Sequence, residues 1–493
     1  MLGSSLSFID GTAVNVALPV LQRELHASAA NAQWVVESYA LFLSALILIG
    51  GSLGDIFGRR LVFGSGIALF ALASIVCALA PNVEILIAGR SLQGIGGALA
   101  TPGSLSLIAA NYAGEARGRA IGTWSGASAI TAVIGPLLGG ALVQLGSWRW
   151  VFVINVPLAV AVLAILALRV DESRDESAPR QVDATGALLA TLGLGALVYG
   201  LIRLQAGVVD PAGLAAVLAG GIALAAFVAT EARSSHPMVR LAYFRTRSFA
   251  AANVYTLLLY AALGGSLFFV PFDLINVQHY PPSLAGAALL PMIGIMFLFA
   301  RFSGGLVVRV GARAPLAIGA VLAALGFTIF AFAGVGHGYW TTFFPGAVAL
   351  GFGGACFVAP LTTTVMDALG PAHAGIASGV NNAVSRTAGL VAIAALGIAL
   401  AGVFDGGALG RELAKAHVSP AARRALAGER AQIVAGHAPE GIASARDRAL
   451  ASGAIATAYA EGFRMTMLVS ALLALLAAPV ALDRSFRRLS ASR

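Results

Sequence analysis

Six ionisable side chains stand out inside predominantly apolar stretches: Asp10, Glu37, Arg90, Asp273, Arg301 and Arg386. A charge at the centre of a bilayer costs a few kcal/mol, so each is a functional candidate by default. Carboxyls in such places can carry protons, and arginines can answer the charge that remains. Asp10 lies mid-way along the first apolar stretch and is where proton or cation coupling is expected to centre, because a carboxyl facing a closing apolar cavity exchanges its proton as water leaves and returns. The plainer reading of Asp10 is an acid at the outer mouth, or one satisfied by neighbouring amides such as Asn15. Arg90 and Gln93 sit one helical turn apart and could form a structural hydrogen-bond hub. Glu37 and Asp273 fall near the outer ends of their runs, where simple hydration competes with a role in coupling or substrate binding. Arg301 and Arg386 are expected to pair with backbone carbonyls or to lie near the inner end of a cavity.

A seventh concentration of charge is "GSLGDIFGRR" (51–60), with Gly51, Gly54, Asp55, Gly58, Arg59 and Arg60. Glycines at this spacing permit close helix approach and a tight turn. Asp55 can pair with a basic residue on a neighbouring helix, and Arg59 can face a helix C-terminus, where the macrodipole favours a cation. Anchoring by positive charge alone would explain Arg59 and Arg60 and would leave Asp55 unexplained.

The elements that must position these groups follow from composition. Of 493 residues, 58% are hydrophobic and 11% charged, against roughly 25% charged in soluble domains. Long runs such as 61–80, 151–168 and 465–482 carry almost no ionisable side chain, and about 20 such residues cross the hydrocarbon layer as a helix. Barrel-type alternation is missing from the sequence, so an all-α polytopic membrane protein is expected. The first run lacks a basic leader and a small-residue cleavage pattern, so it is expected to remain a span. Breaks marked by charge, Gly or Pro give fourteen candidate spans, near 3–21, 34–54, 61–80, 83–110, 118–143, 148–168, 184–203, 211–230, 249–273, 284–306, 315–334, 340–366, 374–402 and 462–482.

With the N-terminus taken as cytoplasmic, seventeen arginines fall on the inner connections and tail, against three (Arg23, Arg149, Arg203) on short outer ones. This satisfies the positive-inside rule and places both termini in the cytoplasm. The segment 403–461 carries seven basic residues on the expected outer side, which long loops tolerate. The net charge of +9 then reflects membrane orientation, and nucleic acid is a poor partner for it.

The second half faintly repeats the first. "GIGGALATP" (94–102) is echoed by "GFGGACFVAP" (351–360) at an offset of 257, and "GSLGDIFGRR" by "GGLVVRVGAR" (304–313) at 253, with Val308 where the acid would stand. Removing 183–240 leaves two halves of about six spans each. The expected layout is a six-helix bundle at 1–168, a cytoplasmic linker at 169–183, and two inserted helices within 184–230. A second linker at 231–248, a second bundle at 249–482 that includes a long outer loop at 403–461, and a cytoplasmic tail at 483–493 complete it. Parallel repeats of this kind place a substrate site between the halves.

Several motifs now converge. "G-x-L-x-D-x-x-G-R-R" at 51–60 resembles the loop joining the second and third helices of the major facilitator superfamily, and "RSLQGIGGALATP" (90–102) resembles its fourth-helix motif. "AVIGPLLGGALVQLGSWRWVFVINVP" (132–157), with Gly135, Pro136, Gly139 and Gly140, resembles the fifth-helix motif of its antiporters. "FIDGTAVNVALP" (8–19) resembles the first helix of the fourteen-span drug:proton antiporter branch. The resemblance implies the major facilitator fold, two six-helix bundles plus two inserted helices, and a multidrug efflux antiporter of the bacterial inner membrane that exchanges protons for hydrophobic or cationic small molecules by alternating access. It also implies that Arg90 couples protonation to cavity opening and that the fifth helix seals the interface between halves. The 51–60 loop would then be a conformational latch that holds on the inner side when the cavity opens outward. The partners are a small-molecule substrate, protons, the lipid bilayer and, for some exporters, a periplasmic adaptor.

A dedicated exporter of one metabolite or lipid on the same fold is the alternative, to be told apart by whether unrelated compounds compete. A membrane enzyme or receptor is disfavoured, since the seven histidines are scattered with no pair at metal-ligand spacing and Cys77 and Cys356 stand alone inside runs. No cofactor is expected. Lys415 is the only lysine and no phosphate-cradling loop surrounds it, so energy must come from an ion gradient rather than from nucleotide bound by this chain.

Overall fold

The computed structural model describes residues 2–111, 131, 134–174, 183–205, 210–299, 311–336, 338–370, 374–403, 407–428, 444–483 and 486. Among these every regular element is helical. In chain order they are α1 (Leu2–Glu24), α2 (Ala29–Phe57), α3 (Arg59–Leu79), α4 (Val83–Asn111), α5 (Ile134–Gln144), α6 (Trp150–Arg169), α7 (Ala184–Leu204) and α8 (Pro211–Arg233). After a short 3-10 turn at Leu241–Arg245 come α9 (Arg247–Phe272), α10 (Pro282–Phe299), α11 (Arg313–Ala331), α12 (Phe343–Ala368), α13 (Ala374–Val403), α14 (Leu409–Lys415), α15 (Pro420–Gly428) and α16 (Ala445–Ala481).

Local chemistry sets the ends. Ser28 accepts a hydrogen bond from the Asn31 amide at 3.1 Å and starts α2, Asp183 accepts from Gly186 at 2.7 Å to start α7, and Asp210 with Pro211 starts α8. Gly58, at φ 118°, is the whole joint between α2 and α3, a backbone conformation that side chains other than glycine's resist. Ser444 caps α16 through the Asp447 amide at 3.2 Å, so the last helix begins at Ala445 rather than near 462. Its polar first turns, Arg446, Asp447 and Arg448, hide it from a hydropathy reading. What reads as one long outer loop therefore contains α14, α15 and the start of α16.

Eleven helices among the described residues are long and apolar enough to cross a membrane: α2, α3, α6 to α13 and α16. The helices α1 and α4 run 23 and 29 residues with a less apolar composition, and α5 is shorter. Residues 118–130, 132 and 133 of the expected fifth span, Arg301, Val308 with most of the 304–313 echo, linker residues 175–182 and nearly all of the tail lie outside the described residues.

Helices α1 to α4 and α6 pack among themselves, as do α9 to α13 with α16, and α7, with α8 packed on it, lies along α2 of the first group and α13 of the second. Gln205, at the end of α7, ties this seam, donating to Gln33 of α2 at 2.9 Å and to the Ala394 carbonyl of α13 at 3.1 Å. Lipid offers no hydrophobic force between helices, so association relies on small residues and close approach. A Cβ on Gly96 of α4 would lie 2.8 Å from the Gly66 carbonyl of α3, and one on Gly353 of α12 would lie 2.9 Å from the Gly319 carbonyl of α11. From Gly96 to Gly353 is 257 residues and from Gly66 to Gly319 is 253, the two offsets of the sequence echoes.

Side-chain ties identify two ends of the molecule. Glu172 binds the Arg60 and Leu61 amides at the start of α3, and Asp483 binds Arg247, at one end. At the other end, Arg149 donates to the Ala80 carbonyl and Gln278 to the Gly334 carbonyl. Trp148, next to charged Arg149 in the sequence, is fully buried beneath it, whereas Trp150 and Trp340 are exposed.

Candidate functional site

Five helices of the first half converge on Asp10. From α4, Arg90 Nη1 donates to one Asp10 oxygen and, at 2.7 Å, to Gln93 Oε1, while Arg90 Nε donates to the Val35 carbonyl of α2 at 2.9 Å. Gln93 Nε2 donates to the other Asp10 oxygen at 3.3 Å and to Ser74 Oγ of α3 at 2.7 Å. Asn155 of α6 donates to Asp10 at 3.0 Å. Tyr39 of α2 lies under the guanidinium, 4.3 Å from ring centroid to Arg90 Cζ. Asp10, Gln93, Ser74 and Asn155 are 0% exposed and Arg90 is 1% exposed. The ion pair is sealed from water and held by neutral hydrogen-bond partners on every side.

This differs in part from the sequence expectation. Asp10 faces a polar cluster rather than an apolar cavity, and the amides that serve it are those of Gln93 and Asn155 rather than Asn15. Asn155 and Ser74 are polar but not ionisable, so a search for charges in apolar runs passes over them. Burying two charges is costly unless each is paired and hydrogen-bonded. Each partner of the pair is therefore held by several neutral groups, Asp10 by Gln93 and Asn155 and Arg90 by Gln93 and the Val35 carbonyl.

Glu37 and Asp273 are not hydrated at an interface. Both are fully buried. Glu37, on α2, has no hydrogen-bond partner on either carboxyl oxygen among the described residues. Asp273 opens a π-helical turn, Asp273–Val277, at the end of α9, where Gln278 donates to it at 3.3 Å. Neither joins the Asp10 cluster.

Between the halves lies a cavity of about 420 Å³, lined by Tyr39, Leu43, Tyr260, Phe268, Met292, Met296, Phe357 and Arg386 among others. It shares Tyr260, Ser385 and Arg386 with a second space of about 340 Å³ walled by Ser378, Asn381 and Asn382, which continues toward the Gly58 end. Pockets of this size bury drug-sized molecules. Tyr39 belongs both to the cavity wall and to the Asp10 cluster, so the two are in direct contact. Among neighbouring aromatics, Tyr260 lines the cavity, Phe42 packs on Gly94, and Tyr255 is buried with its hydroxyl on the Leu316 carbonyl at 2.8 Å.

At the opposite end the halves meet through α5. A Cβ on Gly139 would fall 2.6 Å from the Ala13 carbonyl of α1, and one on Gly140 would fall 2.4 Å from the Pro282 carbonyl of α10. Gly135 faces Thr12, and Gly286 of α10 lies against the Pro136 carbonyl. One helix thus presents glycines to both halves, closing the cavity at the Trp148 end.

In the 51–60 loop, Asp55 pairs with Arg59 within the same joint, at 2.8 Å from Nη2 and 3.0 Å from Nε. Both side chains are partly exposed, and neither is bound to the second half among the described residues. Arg59 stands at the start of α3 and reaches back to Asp55 in the last turn of α2.

A two-bundle helical membrane protein with a cavity between its halves and a buried ion pair beside it is the architecture of a secondary transporter. The profile of the Major Facilitator Superfamily matches residues 1–404. Among characterised proteins, the chain is 35% identical to the multidrug resistance protein Stp of Mycobacterium tuberculosis over 428 residues, 86% of this chain and 79% of that one. It is 34% identical to the tetracenomycin C resistance and export protein of Streptomyces glaucescens over 494 residues, 98% of this chain and 89% of that one. Its fold resembles the crystal structure of a bacterial homolog of the human lysosomal transporter Spinster, with a TM-score of 0.62 at 18% identity over 98% of this chain and 94% of that one. The chain belongs to the major facilitator superfamily and is a multi-pass membrane protein, a transporter rather than an enzyme.

Proposed function

We propose that this chain is a proton-coupled multidrug efflux antiporter of the fourteen-span branch, set in a bacterial inner membrane with both termini in the cytoplasm. The single observation that carries the reading is the sealed Asp10–Arg90–Gln93 cluster in contact, through Tyr39, with the cavity between the halves. The relatives named for drug resistance and export support the direction of transport. In the fourteen-span layout, α1, α4 and α5 join the eleven apolar spans. The Gly58 end is then cytoplasmic, and the structure is the inward-open state.

Substrate enters from the cytoplasmic end while Asp10 holds Arg90. A proton arriving from outside neutralises Asp10 and loosens α4 from α1, and the release of that proton inward resets the pair. Gly135, Pro136, Gly139 and Gly140 seal the outer side against leakage. The Asp55–Arg59 joint is the latch in its released form, re-forming across the halves when the cavity opens outward. Glu37 and Asp273 are secondary proton sites. Moving one charge down about 150 mV releases about 3.5 kcal/mol, at about 2.3 kcal/mol per 100 mV, enough for a concentration ratio of a few hundred at about 1.4 kcal/mol per decade.

The test is purified protein in proteoliposomes under an imposed pH gradient. Several chemically unrelated compounds should compete for gradient-driven movement, and a protonophore should stop it. Movement of one compound alone would favour a dedicated exporter of a metabolite or lipid.

A further inference from the structure

The central cavity has two chemically distinct walls. One, on α9, α10 and α12, is aromatic and sulfur-rich, with Tyr260, Phe357, Met292 and Met296. The other is one polar stripe of α13 that ends at Arg386. Most of that stripe is already engaged: Asn381 donates to Thr256 at 2.6 Å and to Asn253 at 3.2 Å, Asn382 to the Ser378 carbonyl at 3.1 Å, and Ser385 to the Asn382 carbonyl at 2.9 Å.

Arg386 is different. It makes no hydrogen bond or ion pair among the described residues, and its Nε is buried without a partner. It is also the one charged side chain among the described residues that line either space. The three carboxyls buried in the spans, Asp10, Glu37 and Asp273, are fully enclosed elsewhere and do not line the cavity. A guanidinium in a site with no counter-charge is uncompensated, and a planar fork of donors is matched best by a carboxylate or similar anion.

Resting on the export reading above, we propose that Arg386 anchors an anionic group of the substrate, a carboxylate or phenolate, while an aromatic or apolar body lies against Tyr260, Phe357 and the two methionines. The preferred substrates are amphipathic organic anions, in place of the cations that the sequence suggests.

The experiment uses three probes with one aromatic body: 1-pyrenebutyrate, 1-pyrenebutanol and pyrenebutyl-trimethylammonium. Binding to the full chain in lipid nanodiscs is measured against empty nanodiscs. The parent should bind the butyrate at least tenfold more tightly than the alcohol. Arg386→Gln should erase that ratio while leaving the alcohol within twofold, and Arg386→Lys should retain part of it as a point charge. The proposal is overturned if the parent binds the three probes alike, if it prefers the ammonium, or if Arg386→Gln weakens all three together. A guanidinium satisfied by chloride alone would give the first of these outcomes. Should Arg386→Gln fail to fold, the parent ratio and Arg386→Lys still decide. Gradient-driven transport of the alcohol or ammonium with no preference for the anion sinks this inference and spares the export reading. Anion-selective binding with no gradient-driven movement of any probe does the reverse.

Discussion

The two halves share a scaffold and differ in what they bury on it. Gly66 against Gly96 in the first half recurs as Gly319 against Gly353 in the second, at the offsets 253 and 257. Carried across at the same offsets, Arg90 corresponds to Ala347, Gln93 to Leu350 and Ser74 to Phe327, all of them buried and apolar. The first half spends these positions on a sealed, titratable cluster, and the second fills them with hydrocarbon and turns its free cation, Arg386, toward the cavity. Duplication preserved the packing that any such bundle needs in lipid. The polar groups differ between the halves, and under the proposed function one half serves the proton and the other the cargo.

The comparison is broken most severely at the ion pair. Arg90→Ala strands the Asp10 carboxylate and should destabilise the protein by about 3–5 kcal/mol, seen as a fall in thermal midpoint in lipid. The double variant Asp10→Asn with Arg90→Gln should recover most of that stability and none of the proton-driven transport. At the matching sites, Ala347→Ser and Leu350→Met should leave transport within twofold.

The shared scaffold gives the next effect. Gly96→Ala and Gly353→Ala push a methyl into the same kind of helix contact, and each should cost about 1–3 kcal/mol, the range for overpacking. A large difference between them would show that the repeat is only superficial. At the seal between the halves, Gly139→Val and Gly140→Val should open the Trp148 end to a membrane-impermeant thiol reagent directed at a cysteine placed at Ser283, where the parent carrying that cysteine is protected.

Smaller effects belong to exposed pairs. Asp55→Asn removes a half-exposed i,i+4 pair worth about 0.3–0.5 kcal/mol, so stability should barely move, while transport should fall at least fivefold if Asp55 serves as the latch in the outward-open state. The smallest change is expected at Asp210. The hydrogen bond from Arg203, at 2.5 Å, holds its carboxyl below the usual carboxylate range. Any stabilisation it gives is present above that usual range and lost as pH falls through the lowered value. Because the pair is open to solvent, Asp210→Asn should leave both thermal stability and its pH profile unchanged within error.

Much of this was legible in sequence because lipid imposes a coarse and strict rule. Apolar length marked the spans, and Asp10, Arg90 and Gln93 could be picked out since charge in such runs is rare. What stayed hidden depends on which way helix faces turn. Asn155 and Ser74 carry no charge to flag them, Arg386 reads as one more arginine within a span until the cavity is seen beside it, and Trp148, next to charged Arg149, gives no sign that it is fully buried. The start of α16 was masked by Arg446, Asp447 and Arg448, which are compatible with a helix that protrudes past the apolar layer.

The central claim is that the Asp10 carboxyl converts a proton gradient into movement of cargo. Parent and Asp10→Asn protein should be compared in proteoliposomes, with uptake followed under an imposed pH gradient and substrate binding measured without one. The account predicts that the variant still binds substrate and loses at least tenfold of the gradient-driven flux. Undiminished gradient-driven flux in a folded Asp10→Asn protein would contradict it.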